Sequence, residues 1–229
     1  MAAANGRKVI AVMQPYFAAY PGYYRLLAAA DLFVIYDCVQ FPRRGWVHRN
    51  RAPDAKGEPA WLTLPMQPAA FDARIDTLTF ADDAAARVLE RLPAFPSLAK
   101  LSGDAGRFLN PPGMTGLLVD YLHAQLAQVA AALPRPPAML RSSGLHLPAD
   151  LRGEARILEI CRRVGATDYV NAPGGRELYA ETTFADAGMR LHFLPPWEGS
   201  MLSILHDLTT RPMAAIAADV AAATPDYRA

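Results

Sequence analysis

Two short apolar runs near the start of the chain, Lys8–Met13 (KVIAVM) and Leu32–Tyr36 (LFVIY), constrain its fold more than any other feature. Neither alternates apolar with polar residues. Each therefore reads as a strand covered on both faces, the condition of strands inside a parallel sheet. Between them, Pro15 ends the first run, Pro21-Gly22 marks a turn and Tyr23–Ala30 reads as a short helix. Strand, turn, helix, strand is the unit from which α/β sheets are assembled.

The same alternation continues along the chain. Trp61–Leu64 (WLTL) reads as a third strand, stopped by Pro65, and Ala81–Leu92 has helical character. Residues 93–114 carry Pro, Gly and Ser and read as loops. In Thr115–Leu133 the residues Leu118, Leu122, Leu126, Val129 and Leu133 recur on one helical face. Strands are expected at Ala138–Ser142, Asp168–Asn171 and Met189–Leu194. Helices are expected at Glu154–Val164, Glu177–Ala187, Ser203–Thr210 and Pro212–Ala223. The reading is α/β: a Rossmann-like, open, mostly parallel sheet in one domain over residues 8–223, with a helical insert near 66–134 and a loose tail at residues 1–7.

Composition narrows the function classes. A net charge of +1 gives no general attraction to nucleic acid or to a membrane surface. Two cysteines are too few for a disulfide framework or a cysteine-based zinc site, and Cys161 falls in a helical apolar stripe as a core thiol would. No apolar run approaches a membrane span, and the start of the chain is a strand rather than a signal peptide. A cytoplasmic protein is expected, with self-association left open. No histidines stand one helical turn apart, and there is neither a Gly-x-Ser-x-Gly elbow nor a P-loop. No metal site is assigned.

In open α/β sheets ligands bind beyond the carboxyl ends of the strands, and four loops there are rich in polar side chains. The first carries Gln14, Tyr16, Tyr20 and Tyr23. The second carries Asp37, Gln40, Arg44, Trp46, His48, Arg49, Asn50 and Arg51. The third carries Asn171 with Gly174 and Gly175 before a helix, and the fourth carries Ser203 and Asp207. Asp37, directly after a buried strand, is the leading candidate for a catalytic base, with His48 beside it. The arginines are candidates for a phosphate or carboxylate, which guanidinium groups grip in a forked geometry, and Trp46 for stacking on a sugar or base. Each residue also has a structural reading: Asp37 as a turn cap, Ser203 as an N-cap, the tyrosines as core and the arginines as solvated surface.

Residues 13–51 resemble the opening of the WbqC-like family. The matches are Met13, Gln14, Pro15, Tyr16, Tyr20, Gly22 and Tyr23, then Phe33–Asp37 and Gln40, then Gly45, Trp46, Arg49 and Asn50. WLTLP at 61–65, ICRRVGATDYVNAPGG at 160–175 and LSILHDL at 202–208 extend the resemblance. It implies a setting in O-antigen, surface-polysaccharide or secondary-metabolite biosynthesis, where a glycine-transferring role has been suggested for some members. The order strand, Tyr20-Pro21-Gly22-Tyr23, helix, strand more weakly resembles the His-x-Gly-His nucleotidylyltransferases, with both histidines replaced by tyrosine. Three readings follow: a transferase adding an acyl or aminoacyl group, glycyl among them, to an amino sugar or similar amine; a nucleotidylyltransferase-like nucleotide-binding protein; and a non-catalytic scaffold. ATP or a nucleotide-linked substrate is the expected ligand of the first two.

Overall fold

The computed structural model describes residues 6–99 and 101–228. In chain order the elements are β1 (Val9–Met13), α1 (Arg25–Ala29), β2 (Leu32–Ile35), β3 (Arg49–Pro53), β4 (Pro59–Thr63), α2 (Ala84–Arg91), α3 (Gly103–Leu109) and α4 (Leu118–Ala132). They continue with β5 (Ala138–Arg141), α5 (Gly153–Arg163), β6 (Asp168–Asn171), α6 (Glu181–Asp186), β7 (Arg190–Phe193), α7 (Ile204–Asp207) and α8 (Met213–Ala222).

Five strands form one sheet in the order β5-β2-β1-β6-β7, and all four pairings are parallel. β1 lies at the centre, with Ile10 opposite Leu32 of β2 and Tyr169 of β6. The chain winds outward through β2 and β5, then returns to the other side of β1 for β6 and β7. The direction of winding thus reverses between β1 and β6, as in doubly wound folds. The two apolar runs are buried on both faces because their side chains alternate between two cores. Val9, Ala11, Phe33, Ile35 and Val170 face α1, α4 and α8, whereas Ile10, Val12, Leu32, Val34 and Tyr169 face α5 and α6. Cys161 lies in the second core, where burial pushes its thiol up to about 12. No helix among the described residues is long and apolar enough to cross a membrane.

Three sequence expectations change, the first being that residues 93–114, read as loops, carry the helix α3. The WLTL run does not enter the main sheet. It is the β4 arm of an antiparallel hairpin whose other arm, β3, falls where a loop was expected. Four residues are too few to separate a strand buried on both faces from one buried on a single face. Here Leu62 and Leu64 are buried while Trp61 and Thr63 point outward, the alternation of a one-sided strand. Of the expected tail, residues 1–5 lie outside the described residues, but Arg7 is anchored by an ion pair to Asp168 (2.8 Å). Residues 66–134 carry α2, α3 and α4, and α4 packs into the same core as α1 and α8.

Candidate functional site: a cavity at the carboxyl ends of β2 and β5

The loop after β1 carries a left-handed residue that is not glycine, Ala18 (φ 40°). Three buried polar side chains satisfy its backbone. Asn50 Nδ2 donates to the carbonyls of Phe17 and Ala18 (both 2.9 Å), Ser203 Oγ donates to Ala18 O (2.7 Å), and Gln125 Oε1 accepts from Ala18 N (3.3 Å). Ser203 also caps α7 by accepting from Leu205 N (3.2 Å). Asn50 and Ser203, candidates for ligand contact from sequence, are 2% exposed and occupied in shaping this loop. Nearby, Tyr23 donates to Gln14 O (2.8 Å) and its ring packs on Tyr16 at 5.1 Å. Burial raises the phenols of Tyr16, Tyr20 and Tyr23, which therefore stay protonated at neutral pH.

Asp37 follows β2 as expected and is fully buried. Its Oδ1 accepts from Ser142 Oγ (2.9 Å) and Ser143 N (2.8 Å), and its Oδ2 accepts from Ser143 Oγ (2.7 Å). Ser142 Oγ in turn accepts from the backbone N–H of Asp37 and Cys38 (3.1 and 3.2 Å). The carboxylate thus ties the end of β2 to the turn after β5. His48 is part-buried with its ring edge-on to Phe41 (5.0 Å), and its Nδ1 has no hydrogen-bond partner among the described residues. Burial, reinforced by the charge of Arg49, lowers its pKa to about 4.

The arginines of the second loop sit on the outer face of the hairpin. Arg49 stacks on Trp61 (4.2 Å), Arg51 lies over Trp46 (5.2 Å) and Trp61 (5.7 Å), and the two indoles are 5.1 Å apart. Arg49 also donates to the carbonyls of Arg44 and Gly45, while Arg44 itself is exposed. At the end of β6, Asn171 Oδ1 accepts from Ala172 N (2.7 Å). A Cβ at Gly175 would meet Asn171 Nδ2 at 2.4 Å, so glycine is needed for this close approach, whereas Gly174 lies open. Asp207 on α7 is half-buried, its Oδ2 has no hydrogen-bond partner among the described residues, and burial raises its pKa.

A cavity of about 950 Å³ opens beyond β2 and β5. Its wall includes Tyr36, Cys38, Gln40, Ser142, Ser143 and His146, with Arg74, Arg152 and Arg156 supplying positive charge. Gln40 is the residue proposed from sequence that lines it directly; Asp37 supports from behind the two serines that do. Arg156 is 7% exposed and donates to the carbonyls of Leu151 (2.8 Å) and Cys38 (3.2 Å). Arg74 is paired with Asp76. The structure brings Asp37 and Gln40 to this cavity, while the Arg49–Arg51 stack belongs to the hairpin and Asn50 and Ser203 to the Ala18 loop. Sequence reading missed Ser142, Ser143, His146, Arg74, Arg152 and Arg156. The signal was present: Ala138–Ser142 was read as a strand, so the loop after it, SSGLH, also lies at a carboxyl end. Among the described residues, no group of three or more His, Cys, Asp or Glu side chains could hold a metal ion.

No solved structure matches the chain. An uncharacterised protein of Mycobacterium tuberculosis, Rv1507c, is 28% identical over 190 residues, covering 80% of each chain. The model of the WbqC-like protein family matches residues 14–198, a span that holds the cavity wall, the hairpin and four of the five strands of the parallel sheet, β2, β5, β6 and β7, and the chain belongs to that family.

Proposed function

We propose that this protein is a cytoplasmic group transferase that adds an acyl or aminoacyl group, glycyl among them, to an amino sugar or related small amine in surface-polysaccharide or secondary-metabolite biosynthesis. The observation that carries the reading is the cavity of about 950 Å³ at the carboxyl ends of parallel strands, within the range of small-molecule sites. Its wall combines guanidinium groups, hydroxyls, a thiol and an imidazole. Such a wall suits a polar substrate with an anionic end, and the carboxyl edge of an open sheet is where such folds bind ligands.

In this reading Asp37 is a positioning residue. It fixes the Ser142–Ser143 turn, and through it the cavity wall, whereas Gln40, Ser143 and His146 are the side chains available to a bound substrate. Tyr16 and Tyr20 beyond β1, with Gln14 and Asn171, border the point where the winding reverses and offer neutral donors to an uncharged sugar, whereas the Tyr23 hydroxyl is already donated to Gln14 O.

The test is a thermal-shift series with nucleotide-linked amino sugars, ATP and free amino sugars, followed by mass analysis for the acylated amine. A ligand at about a hundred times its dissociation constant adds about 2.7 kcal/mol of stability. Stabilisation by nucleotide amino sugars, with acylated product in the presence of an activated glycine, is the expected result. Stabilisation by ATP alone would replace this reading with a nucleotide-binding one, and stabilisation by none would leave a scaffold.

A further inference from the structure

We infer that the cavity over β2 and β5 binds its substrate by a phosphate or diphosphate group, held by Arg152 and Arg156 at the start of α5. The inference rests on the reading of this cavity as the substrate site and specifies the substrate class.

Charge balance is the first ground. A guanidinium taken out of water is costly unless a counter-charge is supplied. Arg156 is almost wholly buried, yet its partners among the described residues are the carbonyl oxygens of Leu151 and Cys38, the Cys38 sulfur (3.8 Å) and the Tyr36 hydroxyl, and none of them is a carboxylate. Arg152 likewise donates to the carbonyls of Ala149 and Leu151. The acidic residue in the first turn of α5, Glu154, is turned away and accepts from Ala180 N (2.7 Å). Asp72 is the one carboxylate on the described wall, against Arg74, Arg152 and Arg156, and of these Arg74 is already neutralised by Asp76. Three guanidiniums against Asp72 and Asp76 leave about one positive charge in excess on the wall, and the further carboxylate near it, Asp37, lies behind Ser142 and Ser143 with both oxygens already accepting hydrogen bonds.

Geometry is the second ground. Gly153, the first residue of α5, lines the cavity, and the N-cap residue Arg152 makes no side-chain capping bond. The free N–H groups of that turn join the two guanidiniums around one volume. Two guanidinium groups and the backbone N–H groups of a helix start, side by side, suit a tetrahedral anion with several acceptor oxygens. The remaining volume, bordered by Tyr36, Gln40, Ser143 and His146, accommodates the organic part of a nucleotide or phosphorylated sugar.

Binding of uridine diphosphate and of inorganic pyrophosphate, measured by calorimetry and thermal shift, tests the inference, with citrate at equal ionic strength as the carboxylate comparison. Both phosphate compounds should bind, and citrate should bind at least about tenfold more weakly. Arg152→Ala should weaken diphosphate binding about tenfold, the loss of one charge-assisted hydrogen bond. Arg152 is exposed, so this variant should fold; Arg156→Gln should weaken binding further if it folds. Arg87→Ala, on the outer face of α2, should leave binding unchanged. Diphosphate that does not bind, that binds no better than citrate, or that binds Arg152→Ala as it binds the parent would overturn the inference. Binding as expected without acyl transfer would remove the transferase reading and keep the phosphate site. Transfer that survives Arg152→Ala unchanged would do the reverse.

Discussion

Ser143 donates its hydroxyl to Asp37 at 2.7 Å, joining the second residues beyond two neighbouring parallel strands, β5 and β2. With Ser142 Oγ and Ser143 N on the other oxygen, the carboxylate accepts three hydrogen bonds in a fully buried place. Asp37→Asn substitutes an NH₂ that cannot accept, and leaves Ser143 Oγ or Ser143 N unmatched. The expected cost is about 1–3 kcal/mol, read by urea denaturation. A variant that unfolds like the parent but loses most of its turnover would instead make Asp37 a group acting directly in the chemistry.

Asn50 and Ser203 both donate to Ala18 O, so their contributions should not add. Each single alanine variant should lose about 1–2 kcal/mol, Ser203→Ala including its cap on α7. The double variant should lose less than the total of the two. Additive losses in a double-mutant cycle would show that the two side chains act independently. Ala18→Gly, by relieving the left-handed backbone, should stabilise by up to about 1 kcal/mol.

His48 introduces acid sensitivity. Its pKa is held near 4 by burial and by Arg49, below the ordinary histidine value of about 6.5. The unfolded chain therefore takes up this proton first. Stability from the neutral ring is complete above about pH 6.5 and declines as pH falls toward 4. The loss should be of order 1 kcal/mol, since the ring is only part-buried. His48→Phe should flatten the stability profile between pH 7 and 5; an unchanged slope would assign it to other groups. A side chain with this pKa is also a weak base at neutral pH.

Asp168 works in the opposite part of the pH scale. Burial alone would raise its carboxyl, but hydrogen bonds from Arg7, Arg190, His192 and Thr167 prevail and hold it well below the usual carboxylate range. Its contribution is complete above about pH 4 and is lost as pH falls further toward the folded value. Asp168→Asn should lower the melting temperature at pH 7 and shrink the difference between pH 4 and pH 2. A melting temperature unchanged at pH 7 would show that the cluster contributes no net stability.

The parallel sheet was legible because residues such as Ile10, Val12, Val34 and Val170 form runs short enough to be strands and too uniformly apolar for a solvent-facing surface. Their order along the chain implied crossovers. The hairpin was not legible: Arg49-Asn50-Arg51 has the composition of a basic loop, and only packing reveals that Asn50 points inward while both arginines lie on indoles. The same limit applied to the site. Asp37 and Gln40 were marked by their place after a strand. Arg152 and Arg156 sit 11 and 15 residues beyond β5, and on paper they resemble the solvated arginines Arg162 and Arg163 of the same helix. What distinguishes Arg156 is burial without a carboxylate, and that depends on how α5 settles against the end of β2.

The central position of β1 has a consequence for synthesis. Lys8, at its entrance, bonds to Thr167, which lies 159 residues later in the chain. β2 and β5 can join one side of β1 while the last third of the polypeptide is still on the ribosome. The other side, Val9–Ala11, cannot find its partner until Asp168–Val170 emerges. During that interval the wholly apolar strand β1 presents an unpaired edge, the feature that invites intermolecular pairing. The nascent chain, rather than the finished fold, is thus the stage at which this protein is most exposed to aggregation and most in need of a chaperone.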